Sequence, residues 1–243
     1  MKKIIIGNWK MYPIGLHEAG TLATAFSKTQ WPANATVVLC PAFPFLDIVS
    51  KILFPQSQLW LGAQNCAAYE KGAYTGEVSV DMLQNFNCSY AIVGHSERRG
   101  LFGETNSAIR DKISLLQARE ICPILCVGEP LEIYQQKQSF AYIEQQIKDC
   151  LPSQLDKKRI IIAYEPIWAI GSGITPTPEE IRDFSKKLEY TLGMQLIYGG
   201  SVNAEFANKL SNIEALSGLL VGGASININE FKTIVFNFCG ENK

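Results

Sequence analysis

Four polar residues of this chain stand close behind apolar runs. Asn8 and Lys10 follow residues 4–6, His95 follows residues 91–93, and Glu165 follows residues 160–163. Their types suit acid–base chemistry: a carboxylate base, an imidazole that can polarise an oxygen and relay protons, and a fixed cation. Paired-glycine turns, Gly199-Gly200-Ser201 and Gly222-Gly223, follow two later apolar runs. Their backbone N–H groups can approach an anion closely, so they describe a phosphate cradle. A lysine or a glycine pair after a strand is more often solvated or a simple turn. What sets these apart is that all of them fall at run ends.

The elements that must position them are legible. Short β-rich apolar runs lie at residues 4–6, 37–39, 59–61, 91–93, 124–127, 160–163, 195–198 and 218–221. Most are apolar on consecutive residues, as expected for parallel strands covered on both faces. Helical patterns intervene, most clearly at residues 106–119 and 131–150. Another opens at Thr177-Pro178-Glu179-Glu180, which combines an N-cap, a Pro at the first helical position and a capping-box Glu. Eight strands alternating with helices predict one (β/α)₈ barrel over residues 1–243 as a single domain. An open doubly wound sheet is the runner-up, but no G-x-G-x-x-G follows the first strand. In the barrel, chemistry belongs where strands end.

Composition bounds the partner. The chain carries 22 basic and 23 acidic residues, a net charge of −1, which gives no general surface for nucleic acid or membrane. A small anionic ligand must therefore be held by local donors. Seven scattered cysteines with no C-x-x-C pair, and only His17 and His95, assemble no zinc-ligand spacing, so no metal or other cofactor is expected. Free thiols in a reducing cytosol are the expected state. The opening Met1-Lys2-Lys3 and its apolar run stop at Gly7-Asn8-Trp9-Lys10, too soon for a secretion signal. No apolar stretch approaches the ~18 residues of a membrane span.

Longer strings carry a resemblance. Gly7-Asn8-Trp9-Lys10-Met11, Val93-Gly94-His95-Ser96-Glu97-Arg98-Arg99 and Ala163-Tyr164-Glu165-Pro166-Ile167-Trp168 resemble the catalytic loops of triosephosphate isomerases. Tyr198-Gly199-Gly200-Ser201-Val202 and Val221-Gly222-Gly223-Ala224-Ser225 resemble that family's phosphate loops. Gly62-Ala63-Gln64-Asn65 and Gly72-Ala73-Tyr74-Thr75-Gly76-Glu77 resemble the segments of its dimer loop. The strings occur in order and span the chain.

The resemblance implies interconversion of dihydroxyacetone phosphate and glyceraldehyde 3-phosphate through an enediol, without a cofactor. Glu165 would be the base, and a carboxylate shut away from water has its charged form destabilised. His95 would polarise the carbonyl and pass protons between the enediol oxygens. A neutral imidazole at a helix N-terminus, here with Ser96 as the expected cap, is a pattern established for the family. Lys10 and Asn8 would stabilise negative charge near the substrate, and Glu97 would orient Lys10. Gly171, Ser201, Gly222 and Gly223 would bind the phosphate. Residues 166–176 would form a lid: Pro166, Ile167, Trp168, Ala169, Ile170, Gly171, Ser172, Gly173, Ile174, Thr175 and Pro176. A lid is needed because an enediol phosphate exposed to water can eliminate phosphate. A cytoplasmic homodimer is implied, with loop 69–79 reaching into the partner and Thr75 near its active site.

The chain departs from the family pattern at Tyr12, where Asn is common, at Ser217-Gly218, where Asp-Gly is common, and at Ile174. A fourth departure bears on the lid. Pro176 stands where the family usually has Ala, whose N–H reaches the tyrosine of the Y-G-G-S motif, here Tyr198. Proline has no N–H to give. Lid closure is therefore expected to rely less on Tyr198 than in relatives.

Two other readings compete. A Schiff-base aldolase would want a lysine on strand six, and residues 160–165 contain none. A metal-dependent epimerase would lack ligands. A non-catalytic phosphate-binding barrel should have lost Lys10, His95 or Glu165, and all three are present.

Overall fold

The apolar runs form eight strands whose alternate residues bury on opposite sides. The computed structural model describes residues 2–54, 58–170 and 175–240. Its strands are β1 (Lys3–Asn8), β2 (Ala35–Cys40), β3 (Leu59–Ala63), β4 (Cys88–Val93), β5 (Cys122–Val127), β6 (Ile161–Tyr164), β7 (Gln195–Tyr198) and β8 (Leu216–Val221). They pair in sequence order, all parallel, and β8 closes on β1 with Ile4 opposite Gly218. The barrel expected from the sequence is the one observed.

The continuous hydrophobicity of the runs follows from this closure. Ile4, Ile6, Val38, Cys40, Ile92, Ile124, Cys126, Ala163, Ile197 and Leu220 point inward and form one cluster. Their neighbours Ile5, Val37, Leu39, Val93, Leu125, Ile162, Leu196 and Leu219 point outward and pack with the helices. Successive side chains of a strand alternate, so a strand buried on both faces needs apolar residues at every position.

Ten helices wrap the barrel among the described residues. They are α1 (Leu16–Lys28), α2 (Leu46–Leu53), α3 (Val80–Asn85), α4 (Ser96–Phe102), α5 (Asn106–Ala118), α6 (Leu131–Gln135), α7 (Ser139–Cys150), α8 (Pro178–Leu192), α9 (Ala204–Leu210) and α10 (Ile228–Cys239). None is long and apolar enough to cross a membrane. The start of α8 matches its signature: the Thr177 hydroxyl accepts from the Glu180 amide at 3.2 Å, and the Glu180 carboxylate accepts from the Thr177 amide at 2.7 Å.

Two local expectations are corrected. The helix expected over residues 131–150 is broken at residues 136–138, where Lys137 takes φ of +58°. The break lets α6 lean over the barrel end, where the Tyr134 ring stacks on Trp168 at 4.1 Å and its hydroxyl donates to Glu180 at 2.9 Å. Helical periodicity does not record such contacts. The second correction concerns the cap of α4. It is His95 rather than Ser96, since the imidazole itself accepts the amide of Glu97.

Candidate active site

The strand ends gather the expected residues in one cavity of about 530 Å³ at the C-terminal mouth of the barrel. Asn8, Lys10, His95, Glu165, Ser201, Gly222 and Gly223 line it, together with Ile170 and Thr175 of the lid segment. Asn8 ends β1, His95 stands two residues beyond β4, Glu165 follows β6, and the glycine turns follow β7 and β8.

Glu165 is buried at 2% exposure, and its backbone N–H continues the sheet by donating to the Val127 carbonyl at 2.8 Å. One carboxylate oxygen accepts the Ser96 amide at 3.3 Å, and the other lies 3.4 Å from His95 Nε2. Small neighbours make room for it. A Cβ at Gly128 would stand 1.8 Å from the Glu165 carbonyl oxygen, and one at Gly199 would stand 2.9 Å from Glu165 Cγ. The Cys126 thiol also meets Glu165. Burial first, and then the carboxylate, push its pKa well above the ordinary thiol value, so it stays protonated as an S–H.

The tautomer of His95 follows from its hydrogen bond. Nδ1 accepts the Glu97 amide at 3.2 Å. An accepting nitrogen carries no proton, so in the neutral ring the hydrogen sits on Nε2. That N–H faces the cavity and Glu165. The imidazole thus presents a donor to a substrate oxygen.

Lys10 is held in the left-handed region at φ +53°. Its N–H donates to Asn8 Oδ1 at 3.0 Å, and its Nζ meets Glu97 Oε1 at 2.5 Å. The ion pair expected between these two residues is present. The neighbouring cations are engaged elsewhere: Arg98 lies 3.6 Å from Glu104, and Arg99 donates to the Gly94 carbonyl and Asn106. The last loop is tied to the first, because the Ser225 hydroxyl donates to the Asn8 carbonyl at 3.0 Å.

The lid segment is anchored by a buried carboxylate that no string singled out. Glu129 Oε1 accepts from the Tyr164 hydroxyl at 3.0 Å, the Ser139 hydroxyl at 3.0 Å and the Trp168 indole at 3.1 Å. Burial foremost, with the charge of Glu129 behind it, raises the Tyr164 pKa, so its hydroxyl remains a donor. On the other side the Ser201 hydroxyl donates to the Ala169 carbonyl at 2.8 Å. Pro166, Ile167, Trp168 and Ala169 form a short turn that carries Ile170 to the cavity. Gly171, Ser172, Gly173 and Ile174 lie outside the described residues. Pro176 is buried, and the buried Tyr198 hydroxyl has no hydrogen-bond partner among the described residues.

Thr75 is not in this cavity. It sits on an exposed turn of the loop between β3 and α3. Sequence reasoning missed Glu129, Cys126, the Ser96 amide and the side chain of Gln64. Glu129 stands two residues beyond β5 and obeys the same strand-end rule as the others. Cys126 lies inside an apolar run, and nothing local distinguishes it.

The sequence also matches known proteins. The family model described as "Triosephosphate isomerase" matches residues 3–238. The triosephosphate isomerase of Amoebophilus asiaticus is 40% identical, over 95% of this chain and 96% of its own length. That of Aquifex aeolicus is 40% identical over 98% of this chain and 100% of its own. The Thermus thermophilus protein of the same name is 36% identical over 97% and 98%. With Glu165, His95 and Lys10 converging at the mouth of a closed eight-stranded barrel, the chain belongs to the triosephosphate isomerase family.

Proposed function

We propose that Glu165, His95 and Lys10 carry out the reaction of this family, the interconversion of dihydroxyacetone phosphate and glyceraldehyde 3-phosphate. One observation carries the assignment. The His95 ring is fixed by its Nδ1 bond to the Glu97 amide, and its Nε2–H lies 3.4 Å from the buried Glu165 carboxylate. A carbonyl oxygen and the C–H on the adjacent carbon can then meet a donor and a base at the same time.

Glu165 takes a proton from the carbon beside the carbonyl. His95 Nε2–H donates to the carbonyl oxygen as negative charge develops there, and Lys10 adds a fixed positive charge. The resulting enediol has two neighbouring oxygens, between which the imidazole relays a proton. Glu165 returns its proton to the other carbon. The backbone N–H groups of Gly222 and Gly223 and the Ser201 turn hold the phosphate, joined by Gly171 when the lid covers the cavity. Asn8 holds Lys10 at its main chain, and Glu97 holds it at its ammonium group.

The test is turnover of glyceraldehyde 3-phosphate without metal or cofactor, followed through a coupled dehydrogenase, beside a Glu165→Ala variant. Fast turnover that drops by several orders of magnitude in the variant supports the roles. Turnover that survives the variant removes Glu165 as the base.

The working form is a homodimer in the cytoplasm. Apolar side chains on the loops and helices after β1, β3 and β4 lie open in the single chain: Met11, Ile14, Tyr74, Met82, Leu101 and Phe102. Large apolar side chains left exposed on a single chain favour a protein interface. Thr75, on the same side, would then approach the partner's site. Light scattering that gives the mass of one chain at micromolar concentration would remove this assembly. The thiols of Cys40, Cys66, Cys88, Cys122, Cys126 and Cys150 suit a reducing compartment.

A further inference from the structure

The barrel has a second mouth, at the N-terminal ends of its strands, and its chemistry is unlike the rest of the surface. A cavity of about 310 Å³ opens there. Lys2, Lys3, Lys158 and Arg159 line it, and among the described residues no carboxylate does. In a chain with 22 basic and 23 acidic residues, four cations around one small concavity are a local excess. Thr36, Tyr90, Gln195 and Ser217 add neutral polar groups from four different strands.

The partners of these cations are few. The side-chain ammonium groups of Lys2 and Lys158 make no hydrogen bond or ion pair among the described residues. Arg159 has one distant partner, Glu120 at 3.8 Å, whose side chain is 86% exposed. Lys3 donates to the Leu216 carbonyl at 2.6 Å, and Cys239 and then Glu214 act on it electrostatically. Burial, above all, lowers the Lys3 pKa and outweighs the opposing pull of Cys239 and Glu214. Tyr90, pushed up to about 12 mainly by burial, remains a neutral donor. Barrel enzymes place catalysis at the opposite mouth, so nothing in the isomerisation uses this cluster.

We propose that this mouth binds a compact polyphosphate anion, with Lys2, Lys158 and Arg159 neutralising adjacent phosphoryl groups and Lys3, Tyr90 and Ser217 forming the floor. Four positive charges in so small a volume exceed what a monoanion balances. An arginine fork beside lysines suits phosphoryl oxygens.

Trp60 reports on this site. Its ring lies 6.3 Å from the Tyr90 ring at 85°, while Trp168 reports on the catalytic mouth. The protein has four tryptophans, so labelling with fluorotryptophan gives a simple fluorine spectrum, assigned through Trp60→Phe. The expected result on adding inorganic pyrophosphate is a saturable shift of the Trp60 signal, half complete at about 1 mM or below. In a Lys158→Ala, Arg159→Ala double variant the affinity should fall by about tenfold or more. An unchanged Trp168 signal certifies that the variant is folded. An ADP titration separates the sources: a matching Trp60 shift assigns a nucleotide-borne diphosphate, and a shift with pyrophosphate alone assigns the free anion. The proposal is overturned if Trp60 does not respond, if sodium chloride at equal ionic strength gives the same shift, or if the double variant binds as the parent does.

Discussion

The side-chain amide of Gln64 holds the main chain of Lys10. Its Nε2 donates to the Lys10 carbonyl at 2.7 Å and to the Cys40 carbonyl at 2.9 Å. Lys10 needs such a hold, because it sits at φ +53°, where a side chain with a Cβ is disfavoured by about 1–2 kcal/mol. Gln64 is therefore a positioning residue for the proposed catalytic cation. Gln64→Leu should lower kcat/KM by about 10- to 100-fold, or ~1.4–2.7 kcal/mol of transition-state stabilisation. Steady-state kinetics beside a thermal melt distinguish the readings. Activity within about twofold of the parent, with a lowered melting point, would mean that Gln64 only supports packing.

Tyr198 gives the opposite expectation. Its hydroxyl is buried and has no partner among the described residues, and a Cβ at Gly200 would lie 2.1 Å from it. Pro176 has no N–H to offer it. Removing an unsatisfied buried hydroxyl costs little. Tyr198→Phe should keep kcat/KM within about tenfold of the parent (~1.4 kcal/mol) and leave the melting point unchanged or slightly raised. A larger kinetic loss would restore Tyr198 as a partner in lid closure. Gly200→Ala should be the more damaging change at this spot, because the added methyl collides with the ring.

Thiol reactivity follows burial. Cys40, Cys66, Cys88, Cys126 and Cys150 are buried, while Cys122 and Cys239 are partly exposed. Burial pushes the thiols of Cys66, Cys88 and Cys122 up to about 12 and raises those of Cys40, Cys126 and Cys150. The thiolate is the reacting species. Mass spectrometry after brief alkylation at neutral pH should find label at Cys239, little at Cys122, and none at the five buried positions until the chain unfolds. Early labelling of Cys126 would contradict the closed packing around Glu165.

The start of α8 makes a pH-dependent contribution to stability. Burial raises the Glu180 pKa, but bonds from the Thr177 amide, the Tyr134 hydroxyl and the Thr177 hydroxyl outweigh it, and the net value is lowered. A carboxylate depressed in the folded state stabilises above its unfolded pKa, and that contribution is lost as pH falls through the folded value. Thr177→Ala should cost about 1 kcal/mol at neutral pH. Denaturant titrations of Glu180→Gln and the parent should converge below the ordinary carboxylate range. A gap that persists in acid would assign the effect to packing.

The strand ends were legible because the barrel imposes a simple rule. Residues 195–198 read as an apolar run, and β7 spans those same residues. The other runs fell inside their strands or within one residue of them. Asn8, Lys10, His95 and Glu165 stood out because polar residues at such positions interrupt a doubly buried pattern. Glu129 followed the same rule after β5 but lay in no string that drew notice. Cys126 and Gln64 could not be found this way, since one reads as core and the other as loop.

The order of elements, the closed barrel and the candidate acid–base residues are written in local features: alternation, turn glycines and the capping box at Thr177. Those features need only a few neighbouring residues to take effect. The break at residues 136–138, the grip of Gln64 on Lys10 and the three donors on Glu129 depend on the tertiary structure. Each joins groups far apart in the chain, and the hydrogen bond or stacking energy exists only after the barrel has closed and brought them together.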